Sequence, residues 1–276
     1  MIKQNLHTHC VFCDGRNTIS EMASKAISLG FDSIGFSSHA YTGLPFDECG
    51  IESPEAFEDY ISELDRVKAE YGTRLSIFSG IELESRDAYS DNPAIDPRLD
   101  YSIGSVHYFW KDGIAYPVDY REKDFLEAAD AFGGFRPLIE HYYEEVVRFS
   151  NVSKYDITGH LDLVTKFVER TGWDFESRPW YRDAAIYAAE RVVENGKIIE
   201  VNTGAIARGY RTSPYPAPFI LSRLRELDAP VTVTTDCHDA EFLSAGLDDA
   251  YAMLEGMGFR RAMILDDSGF SSLSFR

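Results

Sequence analysis

Short β-forming runs alternate with longer amphipathic stretches along the chain, and this alternation constrains the fold more than any other feature. Strands are predicted near residues 2–9, 32–38, 75–83, 100–107, 155–161, 197–203 and 230–237, with a weaker one at 261–265. Helical patterns lie between them at 18–29, 54–71, 121–131, 136–149, 180–195, 214–228 and 246–257. Ser53 and Pro54 read as the N-cap and first residue of the second helix, because a hydroxyl caps orphan N–H groups and proline fits the first turn. Gly30, Gly72, Gly196 and Gly258 each follow a helical stretch, where a stop signal belongs. Repeated β-then-α order implies parallel strands covered by helices, and seven or eight such units in 276 residues favour a barrel over an open sheet. A single domain spanning 1–276 is expected, with the stretch 85–99, SRDAYSDNPAIDPRL, as a long loop.

The histidines follow the same alternation. Six of the seven fall at predicted strand ends or just beyond: His7, His9, His39, His107, His160 and His238. Glu82 and Asp236 hold equivalent positions, and Asp14 follows the first strand. Strand ends of a parallel barrel converge on one face, so residues far apart in sequence meet there. In NLHTHCVFCDG, His7 and His9 are two apart, which puts both imidazoles on one side of an extended chain. Imidazoles gathered with carboxylates are a metal-binding set. His141 lies within a helical pattern beside tyrosines and glutamates and reads as a packing or surface residue.

Charge and composition exclude several functions. The formal net charge is −19, which opposes a broad phosphate-tracking surface for nucleic acid. Every apolar run falls short of the roughly 18 residues that a membrane helix needs, and no signal-peptide pattern follows Met1, so a cytoplasmic location is expected. Cys10, Cys13, Cys49 and Cys237 are read as reduced thiols. Cys10 and Cys13 have CxxC spacing, yet no second such pair completes a zinc knuckle.

The motifs HTHCVFCDGRNT, GFSSHA, GIELE, GSVHYF, YDITGHLDLV, IEVNTGAIARGYRTSPYP and VTVTTDCHD occur in this order. Together they resemble the PHP (polymerase and histidinol phosphatase) superfamily, in particular the PHP-type histidinol-phosphatases, over nearly the whole chain. That resemblance implies a distorted (β/α)7 TIM-like barrel with two or three divalent metal ions (zinc, manganese or iron) at the C-terminal ends of the strands. It implies one metal held by His7, His9, Glu82 and Asp236, and a second by Asp14, His39 and His238. A third would lie at His107 and His160, with Glu82 bridging back to the first. Asp14 stands where many superfamily members carry a histidine; a carboxylate is an adequate ligand for zinc or manganese. All nine positions carry a competent ligand, unlike a module that had lost its chemistry.

A phosphate monoester is close to a dianion at neutral pH, and its alkoxide leaves poorly. Clustered divalent ions lower the pKa of a shared water and spread the developing charge, so the expected reaction is attack of a metal-bridging hydroxide on phosphorus. The resemblance makes L-histidinol phosphate the expected substrate, with L-histidinol and phosphate as products. Glu82, Asp236 and Arg208 are the expected catalytic residues. Arg208, Arg211 and Arg16 are the expected substrate contacts, because a guanidinium fork suits phosphate and the loop around Arg208 is glycine-rich. Lys166 is a further candidate, and Asp162 could orient His160 from behind. Tyr41, Phe46, Tyr108, Phe109 and Trp110 divide between core and substrate pocket, and the acidic loop PFDECGIES could meet a substrate ammonium. The partner is then a small phosphorylated molecule, not nucleic acid or membrane. The same metal residues would serve a PHP phosphoesterase acting on another small ester or nucleotide. An amidohydrolase, which commonly bridges its metals with a carbamylated lysine, fits less well because Glu82 is available as the bridge.

Overall fold

The computed structural model describes residues 3–275. Ile2, with which the first predicted strand begins, lies outside the described residues. The chain opens with β1 (Gln4–Asn5), α1 (Ile19–Ser28), β2 (Ser33–Phe36), α2 (Pro54–Tyr71), β3 (Ser76–Glu84) and β4 (Tyr101–Ser105). A hairpin of β5 (Tyr108–Lys111) and β6 (Ile114–Pro117) follows, then α3 (Glu122–Phe132), α4 (Phe135–Val152) and β7 (Ile157–Thr158). The one-turn α5 (Val168–Thr171) precedes α6 (Pro179–Glu194), β8 (Ile198–Asn202), the one-turn α7 (Gly204–Ala207), α8 (Pro218–Glu226) and β9 (Val231–Thr234). The described chain ends with α9 (Leu247–Gly256) and a second hairpin, β10 (Arg261–Asp266) and β11 (Gly269–Ser274).

Seven strands form one parallel sheet in the order β1-β2-β3-β4-β7-β8-β9. The sheet closes on itself through a parallel bridge between Thr8 and Cys237, where the His9 N–H donates to the Cys237 carbonyl at 3.0 Å. Below that bridge, side chains replace the ladder. Asn5 Nδ2 donates to Thr235 Oγ1 at 2.6 Å, and the amide of Gln4 exchanges hydrogen bonds with the backbone of Leu265 at 2.7 and 2.9 Å. The weak strand predicted at 261–265 is therefore no eighth barrel stave. It pairs antiparallel with β11 and seals the seam from below.

Inward-facing residues alternate as a strand requires. On β3 Phe78, Gly80 and Glu82 share one face, and on β4 Tyr101, Ile103 and Ser105 do the same. Leu6, Phe78, Tyr101, Ile103, Ile157, Ile198 and Leu265 form a buried apolar floor. The Tyr101 ring needs its glycine neighbours: a Cβ on Gly35 would lie 2.4 Å from its hydroxyl, and one on Gly80 2.3 Å from its ring. A larger core lies between the strands and the surrounding helices.

Local signals explain most helix ends. Thr18 and Glu21 form a reciprocal capping box on α1, and Ser53 Oγ accepts from the Ala56 N–H with Pro54 at the first position of α2. Gly30, Gly196 and Gly258 take positive φ as predicted stop residues, whereas Gly72 stays right-handed at −60°. The helix predicted from 214 begins only at Pro218, because three prolines between 214 and 218 hold the segment extended. The β5–β6 hairpin was not anticipated. Its turn is Asp112–Gly113 with both φ positive (51° and 78°), a two-residue geometry that suits the twist of paired strands.

The loop 85–99 is irregular, as predicted, and is held down by charge. Arg86 binds both oxygens of the buried Glu145 on α4 at 2.9 and 2.8 Å, and Arg148 reaches the same carboxylate. Burial opposes ionisation of Glu145, but the two guanidinium groups overcome it and lower its pKa from 4.5 to about 2. A carboxylate whose pKa falls on folding contributes stability above its unfolded pKa and loses it as pH drops through the folded value. Glu145→Gln is therefore expected to cost about 3 kcal/mol at pH 7. In urea titrations that difference should shrink as pH falls from about 4.5 toward 2.

Candidate metal centre

Glu82, near the end of β3, is the hub of the site. It is 1% exposed and faces five imidazoles. Its Oε2 lies 3.1 Å from His7 Nε2, 3.5 Å from His9 Nε2 and 3.0 Å from His39 Nδ1. Its Oε1 lies 3.0 Å from His160 Nε2 and 3.4 Å from His107 Nε2, and accepts from Ser105 Oγ at 2.6 Å. The barrel explains the convergence: His7 and His9 follow β1, His39 follows β2, His107 follows β4, and His160 follows β7. Thr8, between the first two histidines, points the other way and donates to the Gly35 carbonyl at 2.7 Å.

Past β9 the chain turns at Asp236, which adopts a left-handed φ of 48° that aspartate tolerates better than most residues. Asp236 Oδ1 lies 3.2 Å from His9 Nε2 and 3.6 Å from His7 Nε2. His238 stacks on His9 with ring centroids 4.0 Å apart and sets Nε2 3.3 Å from Asp14 Oδ1. The same Asp14 oxygen lies 3.8 Å from His9 Nδ1 and 3.9 Å from His39 Nε2. The structure thus brings together all nine residues singled out as ligands: seven fall in three adjoining groups, and His160 and Asp236 join them through Glu82 and His9. Potential ligand atoms cluster in His7, His9 and Glu82, in His9, Asp14, His39 and His238, and in His39, Glu82 and His107.

The donor set suits divalent cations. The Nε2 of His9 is buried without an aligned hydrogen-bond partner although two carboxylates lie within 3.5 Å. The Nε2 atoms of His107 and His160 face each other at 3.3 Å with Glu82 Oε1 beside both. Lone pairs aimed at one another across a buried gap are what a cation between them would satisfy. The electrostatics agree. Burial and the neighbouring His238 and His39 push the His9 pKa down to about 3, so it stays neutral. Burial also opposes charge on His39, but Glu82 and Asp14 raise its pKa to about 9. Burial works against ionised Glu82 and Asp236 too, yet imidazoles, and Arg208 for Asp236, hold both well below the usual carboxylate range.

Three residues that complete this site went unnoticed in sequence. Glu84 accepts from the His107 backbone N–H at 2.9 Å and meets its Nδ1 at 3.0 Å, orienting that ring. It sits two residues after Glu82, so period two alone could have found it. Glu200 on β8 binds His7 Nδ1 at 2.5 Å, and Thr234 Oγ1 donates to the same Glu200 oxygen at 2.6 Å. An acid inside a strand expected to be buried on both faces was the available signal.

The site opens into a cavity of about 710 Å³. Arg208 lines it, with its guanidinium 2.9 Å from Asp236 Oδ2 and 2.7 Å from the Asp236 carbonyl. Lys166 lines it too, bound to Asp119 at 2.9 Å. Arg211 and Arg16 do not. Arg211 is buried and bound through both terminal nitrogens to Glu176 at 3.0 and 2.8 Å, so its charge is already compensated. Arg16 projects into solvent, 78% exposed, beside Asp239. Asp162 makes no bond to His160; it accepts from the Ala217 N–H at 2.9 Å. Phe46 and Tyr108 line the cavity, Phe109 is in the core, and Tyr41 is exposed at 36%. His141 packs against Phe132 with ring centroids 5.0 Å apart, as its helical setting predicted. Cys10, Cys13, Cys49 and Cys237 are free thiols, and Cys13 Sγ lies 3.5 Å from His9 Nδ1.

A seven-stranded parallel barrel with a His/carboxylate cradle at its mouth defines a class of metal-dependent hydrolases. The chain belongs to the PHP domain family, whose model matches residues 5–204. It is 28% identical over 256 residues to the histidinol-phosphatase of Bacillus subtilis, covering 87% of this chain and 95% of that one. Among solved structures it is similar to a Listeria monocytogenes protein described as a putative histidinol phosphatase, with a TM-score of 0.80 at 22% identity over 90% of this chain and 99% of the other. It is also similar to the Lactococcus lactis histidinol phosphate phosphatase crystallised with zinc, L-histidinol and phosphate, with a TM-score of 0.69 at 19% identity over 98% of both chains.

Because Glu82 lies within 3.5 Å of five imidazoles, Glu82→Gln is expected to lower bound metal and turnover by more than about 100-fold. Metal analysis and circular dichroism of the same sample would check that the helix content is unchanged.

Proposed function

We propose that this chain is a metal-dependent phosphomonoesterase that hydrolyses L-histidinol phosphate to L-histidinol and phosphate. The observation that carries the reading is the convergence of five imidazoles on Glu82, with Asp14, Asp236 and His238 beside them, at a cavity that Arg208 also lines. His7, His9, Glu82 and Asp236 would hold one ion, Asp14, His39 and His238 a second, and His107 and His160 with Glu82 a third. Zinc, manganese or iron bound there would acidify water and polarise phosphoryl oxygens. The zinc seen with the Lactococcus relative supports this chemistry.

The chain's own residues account for orientation. Arg208 is held rigidly by Asp236 at the cavity wall, so its remaining N–H donors can take a phosphoryl oxygen without reorganising. Ser105 steadies Glu82 from behind, and Glu84 keeps the His107 ring facing the cluster. Besides the cluster residues the cavity is lined by Asp47, Glu48 and Asp119 together with Phe46, Tyr108 and Tyr210. Carboxylates suit the ammonium of L-histidinol phosphate, and aromatic faces suit its imidazole. Among the described residues no helix is long and apolar enough to cross a membrane, and a cytoplasmic location goes with this reading.

The test is a comparison of kcat/KM for L-histidinol phosphate with a panel of sugar phosphates, nucleotides and aryl phosphates, with metals quantified in the same sample. Strong preference for L-histidinol phosphate is expected, and preference for a nucleotide or sugar phosphate would overturn the assignment. Arg208→Ala is expected to cost about 10²-fold or more in kcat/KM on every monoester, since it contacts the phosphoryl group common to all. Asp47→Asn should instead raise KM for L-histidinol phosphate about tenfold while leaving an aryl phosphate unaffected.

A further inference from the structure

Glu200 is fully buried in β8, and its carboxylate gathers four donors from four different strand ends or strands. Oε1 accepts from His7 Nδ1 at 2.5 Å and from Thr234 Oγ1 at 2.6 Å. Oε2 accepts from the His160 backbone N–H at 2.6 Å and from Asn202 Nδ2 at 3.1 Å. Two of these donors belong to residues assigned above as metal ligands. A third, Asn202, brackets the loop that carries Arg208. Its Oδ1 accepts from the Gly204 N–H at 2.8 Å, and its backbone exchanges hydrogen bonds with Tyr215 at 2.7 and 3.0 Å.

We infer that Glu200 is a positioning residue that holds His7 with its proton on Nδ1, so that the Nε2 lone pair faces Glu82 and Asp236, and that it ties this ligand to the Arg208 loop. The inference rests on the metal-dependent reading above. The closer contact selects the tautomer: Nδ1 lies 2.5 Å from Glu200 Oε1 and Nε2 3.1 Å from Glu82 Oε2, so a proton on Nε2 would set the Nδ1 lone pair against the nearer carboxylate oxygen. A carboxylate behind a ligating imidazole fixes ring orientation and raises ligand basicity. An amide in its place offers one acceptor atom to donors that approach from both sides, so at least one pair of donors would face an NH2 group.

A purely structural hub would predict the same loss of stability without an effect on the ligand. Thr234→Val separates the two, because it removes one donor to the same carboxylate and leaves the His7 contact in place. Glu200→Gln and Thr234→Val would be compared for Tm of the metal-stripped protein and for zinc affinity by chelator competition. Glu200→Gln is expected to weaken zinc 10- to 100-fold, beyond anything Thr234→Val does at a similar Tm, with turnover recovering in excess zinc. Equal weakening in both variants, or wild-type affinity in Glu200→Gln, would overturn the inference. If Glu200→Gln does not fold, long-range 1H–15N spectra of the zinc-loaded wild type still decide: the His7 ring proton must be on Nδ1, and finding it on Nε2 refutes the assignment. A wild-type protein that holds no stoichiometric metal would instead overturn the underlying reading, which the same zinc titration reports separately.

Discussion

Closure of the sheet between its first and last strands is the constraint on which the rest depends. Only there do His7 and His9 meet Asp236 and His238, and the closure is slight: one Thr8–Cys237 bridge, two side-chain amides and a covering hairpin. Bringing chain ends together costs conformational entropy that a short ladder repays poorly. The polar cluster at the same seam adds a second difficulty, since it buries His7, His9 and Asp236. A cation bound by residues from both edges of the seam would offset both costs at once, because metal-binding free energy then becomes folding free energy. Closure of the fold and assembly of this part of the site share one seam.

The layering of the barrel interior follows from that requirement. The lower layer is apolar, with Phe78, Tyr101, Ile103, Ile157 and Ile198, and hardly admits water. One strand step higher, Glu82, Ser105, Glu200 and Asn202 form a polar layer in which the carboxylate oxygens find donors or imidazoles. Such a network is worth having only when its members are satisfied, since the low dielectric that strengthens each bond also penalises each orphan. An orphan of this layer's rim, His9 Nε2, sits beside two carboxylates where a ligand lone pair is wanted.

The gathering of these residues at one mouth was legible in sequence for a physical reason: strand ends of a parallel barrel must converge, so a histidine or acid recurring at that position is informative however far apart the residues lie. Arginines in loops carry no such address. Arg208 and Arg211 are three residues apart in one glycine-rich stretch, yet the first faces the cavity and the second is bound to Glu176 on a segment that sequence order gives no reason to place beside it. Asp162 misled similarly, since it follows His160 by two but the chain leaves the strand there and turns into a 3-10 segment. Glu200 and the Asp112–Gly113 hairpin were readable and were passed over, one as an acid in a buried strand and the other as a short turn between aromatic runs.

The charge of the cavity shows why its two ends do different work. Each lining cation is already matched: Arg208 to Asp236, Lys166 to Asp119 and Arg121 to Asp124. Asp47 and Glu48 line the same space without a Lys or Arg partner among the described residues. The protein alone therefore presents an anionic pocket to a phosphate dianion, in keeping with its net charge of −19. Phosphate can bind only where added cations reverse the local sign, and that reversal fades beyond the roughly 8–10 Å over which salt screens charge. Where Asp47 and Glu48 form the wall, a positively charged group is favoured. Under the reading proposed above, a pocket so divided suits a molecule that is anionic at one end and cationic at the other better than a nucleotide or sugar phosphate, whose far end brings no positive charge to Asp47 and Glu48.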